Sequence, residues 1–305
     1  MNDSGVLKNL IDILWVRYKK RVPYAAQYQA MVEDRGGHVQ NDHMAFRTFQ
    51  CHTGAQPSGI EAIGRVFTAL GYERKDQYLF ADKKLTAWHY EHATQPENPK
   101  LFISQLEVDQ LPQPTAQLIA KVVGQAPDLV RPEDMEKLRG LSSGRGISPQ
   151  DAAGLAERLA GFFTRPWQPP TRLQVEIADR VSQYAAWTLL HGNSVNHFTA
   201  YINEQKVREW PDIEATAAAL RQAGLPMKDE FEGERGTKLR QTSTKAVMED
   251  CDVSVEQGGT AKLNWSYAYY ELAERGQVPD AQGKLVRFQG FLGAQATNLF
   301  EMTKT

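Results

Sequence analysis

The feature of this sequence that most restricts its fold is an internal repeat, because self-similarity decides architecture before local propensity does. Asn41-Asp-His-Met-Ala-Phe-Arg-Thr-Phe49 resembles Val195-Asn-His-Phe-Thr-Ala-Tyr-Ile202. Each is followed by a helical pattern, Ile60-Glu-Ala-Ile-Gly-Arg-Val-Phe-Thr-Ala-Leu-Gly71 and Ile213-Glu-Ala-Thr-Ala-Ala-Ala-Leu-Arg-Gln-Ala-Gly224. The offset is 154 between His43 and His197, and 153 between Ile60 and Ile213 and between Gly71 and Gly224. Both patterns end on glycine, the residue that takes a left-handed C-cap conformation without steric cost. Residues 86–92 and 100–108 in the first copy, and 237–248 and 264–274 in the second, are rich in β-branched and aromatic side chains and read as strands. Each copy is therefore a strand, a helix and two or three further strands. The expected fold class is α+β, with duplicated strand-helix-strand modules forming one curved sheet.

Between the copies the material changes. Gln117–Val123, Pro132–Leu138, Pro149–Phe163 and Arg172–Leu190 have helical spacing, broken once by Pro166, Pro169 and Pro170. This stretch, about 115–190, is expected to be a helical insertion packed on the outside as a buttress. We read the chain as a single domain, with repeat 1 at about 38–110 and repeat 2 at about 193–276.

A chain of 305 residues can bury a large core without disulfide staples. Its 35 basic and 37 acidic residues sum to −2, so there is no positive surplus to neutralise a nucleic acid or an anionic membrane. No run of 18 apolar residues occurs, so no segment is expected to span a bilayer. The stretch Val6–Val22 carries Asp12, Arg17, Lys19 and Lys20 among its apolar residues and reads as an amphipathic helix, not a signal peptide. The expected compartment is the cytoplasm. Cys51 and Cys251 are the only cysteines and form no Cys-x-x-Cys pair, so any metal must be held by histidines and carboxylates.

Of seven histidines, His43 and His197 stand out because they hold the same place in the two repeated strands. A pseudo-twofold arrangement would bring them towards a shared centre. Side chains alternate along a strand, so His43, Ala45 and Arg47 share one face and His197, Thr199 and Tyr201 another, with the more apolar residues behind them. In the last repeated strand, read as 268–275, Glu271 is an acid within an apolar and aromatic run. A buried carboxylate is costly unless paired or bound to a metal, so it is either an ion-pair partner of an arginine or a ligand. Two imidazoles and one carboxylate form the facial triad typical of non-haem Fe(II) oxygenases, which leaves coordination positions open. Arg47, four residues past His43 on the same face, could hold a second carboxylate of a substrate as a planar two-point donor. Other patterns are weaker: His89 and His92 splay apart on a strand, Gly140–Gly146 lacks the ending of a phosphate loop, and no Gly-x-Ser-x-Gly elbow exists.

Four stretches, Asn41–Thr48, Val195–Thr199, Lys238–Thr244 and Tyr269–Gly276, together resemble the 2-oxoadipate dioxygenase/decarboxylase family, relatives of the vicinal oxygen chelate enzymes. The last also looks like the metal strand of 4-hydroxyphenylpyruvate dioxygenase. The resemblance implies a sheet that closes around Fe(II), with His43, His197 and Glu271 as ligands and Arg47 binding substrate. Zn or Ni could replace iron in a purified sample. It further implies conversion of 2-oxoadipate and O2 to 2-hydroxyglutarate and CO2, a step of lysine breakdown. Arg240, Gln241 and Ser243 are expected near the ligands or the substrate. The alternatives are a redox-inert metal-dependent isomerase or hydrolase of the same fold, and a metal-dependent small-molecule binding protein. Thr305 lies 34 residues past Glu271, whereas better-known members continue further, so the resemblance bears on the metal ligands more than on the substrate.

Overall fold

A computed structural model describes residues 3–256 and 258–292. Two helices come first, α1 (Asp3–Arg21) and α2 (Pro23–Glu33), the second opened by a proline at its first turn, where the missing N–H costs nothing. The first repeat follows as β1 (Asn41–Gln50), α3 (Ile60–Thr68), β2 (Tyr72–Phe80), β3 (Leu85–His92) and β4 (Lys100–Glu107). The insertion holds α4 (Gln113–Val123), α5 (Pro132–Ser142), α6 (Pro149–Phe162), α7 (Arg172–Val181) and α8 (Gln183–His191). The second repeat contains β5 (Val195–Tyr201), α9 (Ile213–Gln222), β6 (Leu239–Ser243), β7 (Met248–Ser254), β8 (Thr260–Ser266) and β9 (Glu271–Arg275). A short hairpin, β10 (Gln277–Pro279) with β11 (Leu285–Arg287), comes last.

Both repeats contribute to one curled seven-stranded sheet of order β2-β3-β4-β1-β5-β9-β6. β1 and β5 run antiparallel at its centre, and each is flanked by a parallel strand of its own copy, β4 and β9. The glycines expected to close the two repeated helices, Gly71 and Gly224, have φ of 94° and 87°, the left-handed region that a side chain would resist.

The second copy departs from the first after β6. The run read as 237–248 stops at Ser243, and the run 264–274 divides at Ser266, because β7 and β8 pair with each other as a separate hairpin. The run read as 268–275 becomes a strand only at Glu271, since Tyr270 first spends its backbone N–H on the Thr244 hydroxyl. The helical run 172–190 is likewise two helices. Ser182 leaves the helical region (φ −158°, ψ 112°) and its hydroxyl accepts the Ala185 N–H, so one residue ends α7 and caps α8.

The insertion is more than an outer buttress. One face of the sheet, with Met44, Phe46, Phe198 and Ala200, packs against α1, α3 and α9 in the larger apolar cluster. The other face, with Ala45, Phe49 and Phe102, packs against α4, α7, α8 and the β7–β8 hairpin. α8 is buried from Tyr184 to His191, and its Tyr184 hydroxyl accepts the Thr48 N–H and donates to the Ser104 carbonyl, which locks it onto β1 and β4. No helix among the described residues is long and apolar enough to cross a membrane.

Candidate metal centre

The central pair β1/β5 is symmetric down to its irregularities. Asn41 faces Ala200, His43 faces Thr199, Ala45 faces His197 and Phe46 faces Val195. One residue is therefore extra on each strand, Asp42 on β1 and Asn196 on β5. Successive side chains normally point to opposite faces. A bulge re-aims them, and here each extra residue turns its side chain onto the ring of the histidine that follows. His43 Nδ1 donates to Asp42 Oδ1 at 2.8 Å, and His197 Nδ1 donates to Asn196 Oδ1 at 2.9 Å. Both Nε2 lone pairs are thereby aimed at the same point, since the proton is committed to the other nitrogen.

At that point lies Glu271, the first residue of β9, directly beside Thr199 in the parallel pairing. His43 Nε2 is 3.4 Å from Glu271 Oε1 and His197 Nε2 is 3.8 Å from Oε2, and the three ligand atoms lie within 4.8 Å of one another. Bonds of about 2.1 Å to one cation place its ligand atoms about 3.0 Å (cis) to 4.2 Å (trans) apart, so the observed spacing suits a shared ion. Among the described residues, His197 Nε2 and Glu271 Oε2 are buried without a hydrogen-bond partner, as expected of atoms meant for a metal. Glu271 Oε1 is held from the side by Gln241 Nε2 at 2.6 Å and by the Thr199 hydroxyl at 3.2 Å.

The electrostatics agree. Burial pushes both imidazoles below their ordinary range; Asp42 offsets part of the effect at His43, whereas at His197 the neighbouring His43 and Arg47 add to it. Neutral imidazole is the form that ligates. Burial, reinforced by Glu232, pushes the Glu271 carboxyl up to about 8. A charge this costly to bury calls for a cation, and an arginine is not what supplies it. Arg275 instead takes Asp42, with Nε at 2.5 Å from Oδ2 and Nη2 at 2.8 Å from Oδ1. Burial raises the Asp42 carboxyl, but Arg275 and His43 outweigh it and hold the group below the usual carboxylate range.

Of the other residues singled out from the sequence, Arg47 lines the same cavity, its guanidinium between the rings of Tyr184 (5.0 Å) and Trp187 (5.2 Å) of α8. Gln241 reaches the cluster, and Ser243 shares its strand face and lies opposite Glu271 in the β6/β9 pairing. Arg240 is not brought there. Strand alternation turns it to the other face, where it pairs with Glu214 of α9 at 2.7 Å. Sequence reasoning missed Asp42, Asn196, Arg275 and the α8 aromatics; the one signal for α8 was a run apolar on all sides, which marks a buried helix. His191, Glu249 and Cys251 also come together, yet Arg21 already donates to both Glu249 oxygens and supplies the positive charge a cation would bring.

A duplicated, curled sheet whose paired central strands present two histidines to one carboxylate defines a protein of the vicinal-oxygen-chelate type. A glyoxalase-superfamily protein of Ralstonia eutropha JMP134 has this fold, with a TM-score of 0.85, 25% identity, and coverage of 96% of this chain and 88% of its own. The sequence profile of the 2-oxoadipate dioxygenase/decarboxylase family matches residues 8–300, and the chain belongs to that family of dioxygenase/decarboxylase enzymes. The chloroplastic 2-oxoadipate dioxygenase/decarboxylase of Arabidopsis thaliana is 29% identical over 286 residues, covering 86% of this chain and 67% of the relative. The chloroplastic/amyloplastic enzyme of that name from Oryza sativa subsp. japonica is 27% identical over 309 residues, covering 94% and 75%.

Proposed function

We propose that this enzyme is an Fe(II)-dependent dioxygenase that decarboxylates a 2-oxo dicarboxylic acid, 2-oxoadipate, with O2 to give 2-hydroxyglutarate and CO2, a step of lysine breakdown. The observation that supports the reading is the buried set of His43, His197 and Glu271, in which, among the described residues, His197 Nε2 and Glu271 Oε2 have no hydrogen-bond partner and His43 Nε2 meets the Thr199 hydroxyl at 3.0 Å. Iron held by these three side chains would supply redox chemistry with O2 and a Lewis-acidic site for the 2-oxo acid end of the substrate. The protein supplies the rest. Asp42 and Asn196 keep the ligand nitrogens deprotonated and aimed. Arg47, buried and beside two aromatic rings, would grip the far carboxylate of a diacid and so fix the chain relative to the ligands. Burial of the three ligand side chains would keep bulk water from the reacting atoms. We place the enzyme in the cytoplasm, consistent with two cysteines that are both free.

The test is oxygen uptake coupled to CO2 release after loading with Fe(II) and addition of 2-oxoadipate. His43→Ala, His197→Ala and Glu271→Ala should each abolish both signals together with metal binding. Uptake that survives all three substitutions would falsify the assignment.

A further inference from the structure

His43, His197 and Glu271 are 1%, 5% and 0% exposed, so nothing reaches them unless a wall moves. Among the described residues, every one that lines the cavity beside the histidines lies on β1, β4 or β5, with a single exception. Those are the central strands, each hydrogen-bonded on both sides. The exception is Phe291, on the irregular strap of residues 288–292 that follows β11.

Among the described residues the strap is irregular backbone fixed by individual hydrogen bonds and ring packing, not by a sheet ladder, and the Phe288 N–H donates to the Gly276 carbonyl at 3.0 Å. The Phe291 N–H is accepted by the Tyr78 hydroxyl at 3.0 Å, and the carbonyls of Phe288 and Gly290 accept from Arg275 Nη1 at 3.2 and 2.7 Å. The Phe291 ring meets His43 edge-on with centroids 4.8 Å apart and packs on Phe102 at 4.9 Å. On its other side the strap borders a second, polar cavity, to which Gln289, Asp42, Lys100 and Arg275 contribute. The strap therefore partitions two cavities, with Gln289 facing the outer one and Phe291 the inner one, which His43 and His197 line.

We infer that Phe291 is the movable wall of the metal chamber and that its bulk determines which acids gain access to His43, His197 and Glu271. The wall role follows from the geometry alone; the identity of the filtered ligand as a 2-oxo acid rests on the function proposed above. Because Arg275 grips both the strap carbonyls and the carboxylate that aims His43, the closed strap and the aligned ligand share one anchor.

The test uses the full chain loaded with Fe(II) in the absence of O2, with two readouts. The first is the rate at which a chelator strips the metal. Phe291→Ala should raise it at least about tenfold and Phe291→Trp should lower it, with one metal per chain in both. The second is calorimetric binding of 2-oxoadipate and of a bulkier analogue carrying a phenyl group. Phe291→Ala should gain binding of the bulky acid, and Phe291→Trp should weaken both. Stripping rates identical to wild type in both variants overturn the inference. Rates that move as expected while the wild-type enzyme binds no 2-oxo acid keep the wall and overturn the functional reading instead. Should Phe291→Ala fail to fold, Phe291→Trp decides alone through the sign of its rate change.

Discussion

Asp42 is a residue on which the proposed metal centre would depend without itself being a ligand. It accepts from His43 Nδ1 and from two nitrogens of Arg275, and both Asp42 and Arg275 are only 5% and 2% exposed. Removing one member of a buried pair leaves the other charge uncompensated, which costs about 3–5 kcal/mol. Loss of the carboxylate that orients a ligating histidine typically lowers metal affinity about 10–100-fold. Asp42→Asn should do both: a lower denaturation midpoint, and weaker Fe(II) binding in a chelator competition. Unchanged metal affinity in this variant would mean that the bulge, not the charge, aims His43. Neither partner of Asp42 was readable from the sequence. Arg275 is far away along the chain, and no glycine marks the bulge that turns Asp42 and His43 to one side. The alternation of faces, by contrast, was readable, and it separates His43, Ala45 and Arg47 from Met44 and Phe46 as the two apolar clusters do.

At the scale of elements, helix α9 is fastened to strand β6 by Glu214, which accepts from Arg240, and Arg235 joins the same carboxylate. The Arg240 hydrogen bonds hold the Glu214 carboxyl at about 2, below its ordinary value of about 4.3. A depressed carboxylate stabilises the fold fully above the unfolded value and loses that contribution as pH falls through the folded one. Glu214→Gln should therefore lower the denaturation midpoint at pH 7, and the gap from wild type should be roughly halved by pH 3. A gap that is constant over that range would show that packing, not charge, joins these elements. The repeated helices were legible because periodicity and a closing glycine mark them. The division of 172–190 at Ser182 was not, since the apolar spacing runs straight through and only a capping hydroxyl interrupts it. The β7–β8 hairpin was hidden for a similar reason: its residues look like strand, and nothing local says which sheet they join.

For the whole molecule, which we read as one domain, the pseudo-twofold accounts for why the centre is open. Advancing by 154 carries Asp42, His43 and Ala45 onto Asn196, His197 and Thr199. Thr199 pairs with Glu271 on β9, and Ala45 pairs in the same way with Phe102 on β4. Phe102 thus stands where a second carboxylate would complete a four-ligand site, and it lines the chamber with both histidines. On the proposed reading, the asymmetry between the copies would leave coordination positions for substrate. Phe102→Glu should restore the missing acid. Without metal the variant should be less stable than wild type, because a carboxylate replaces a buried ring. With Fe(II) or Zn(II) it should gain more in melting temperature than wild type does, since tighter binding to the folded state stabilises it by mass action. Anaerobic binding of a 2-oxo acid should weaken at the same time, as the new carboxylate takes a position the chelate needs. Equal metal-induced shifts in the two proteins would mean that Phe102 does not face the ion, and the openness of the site would then need a cause other than the broken symmetry.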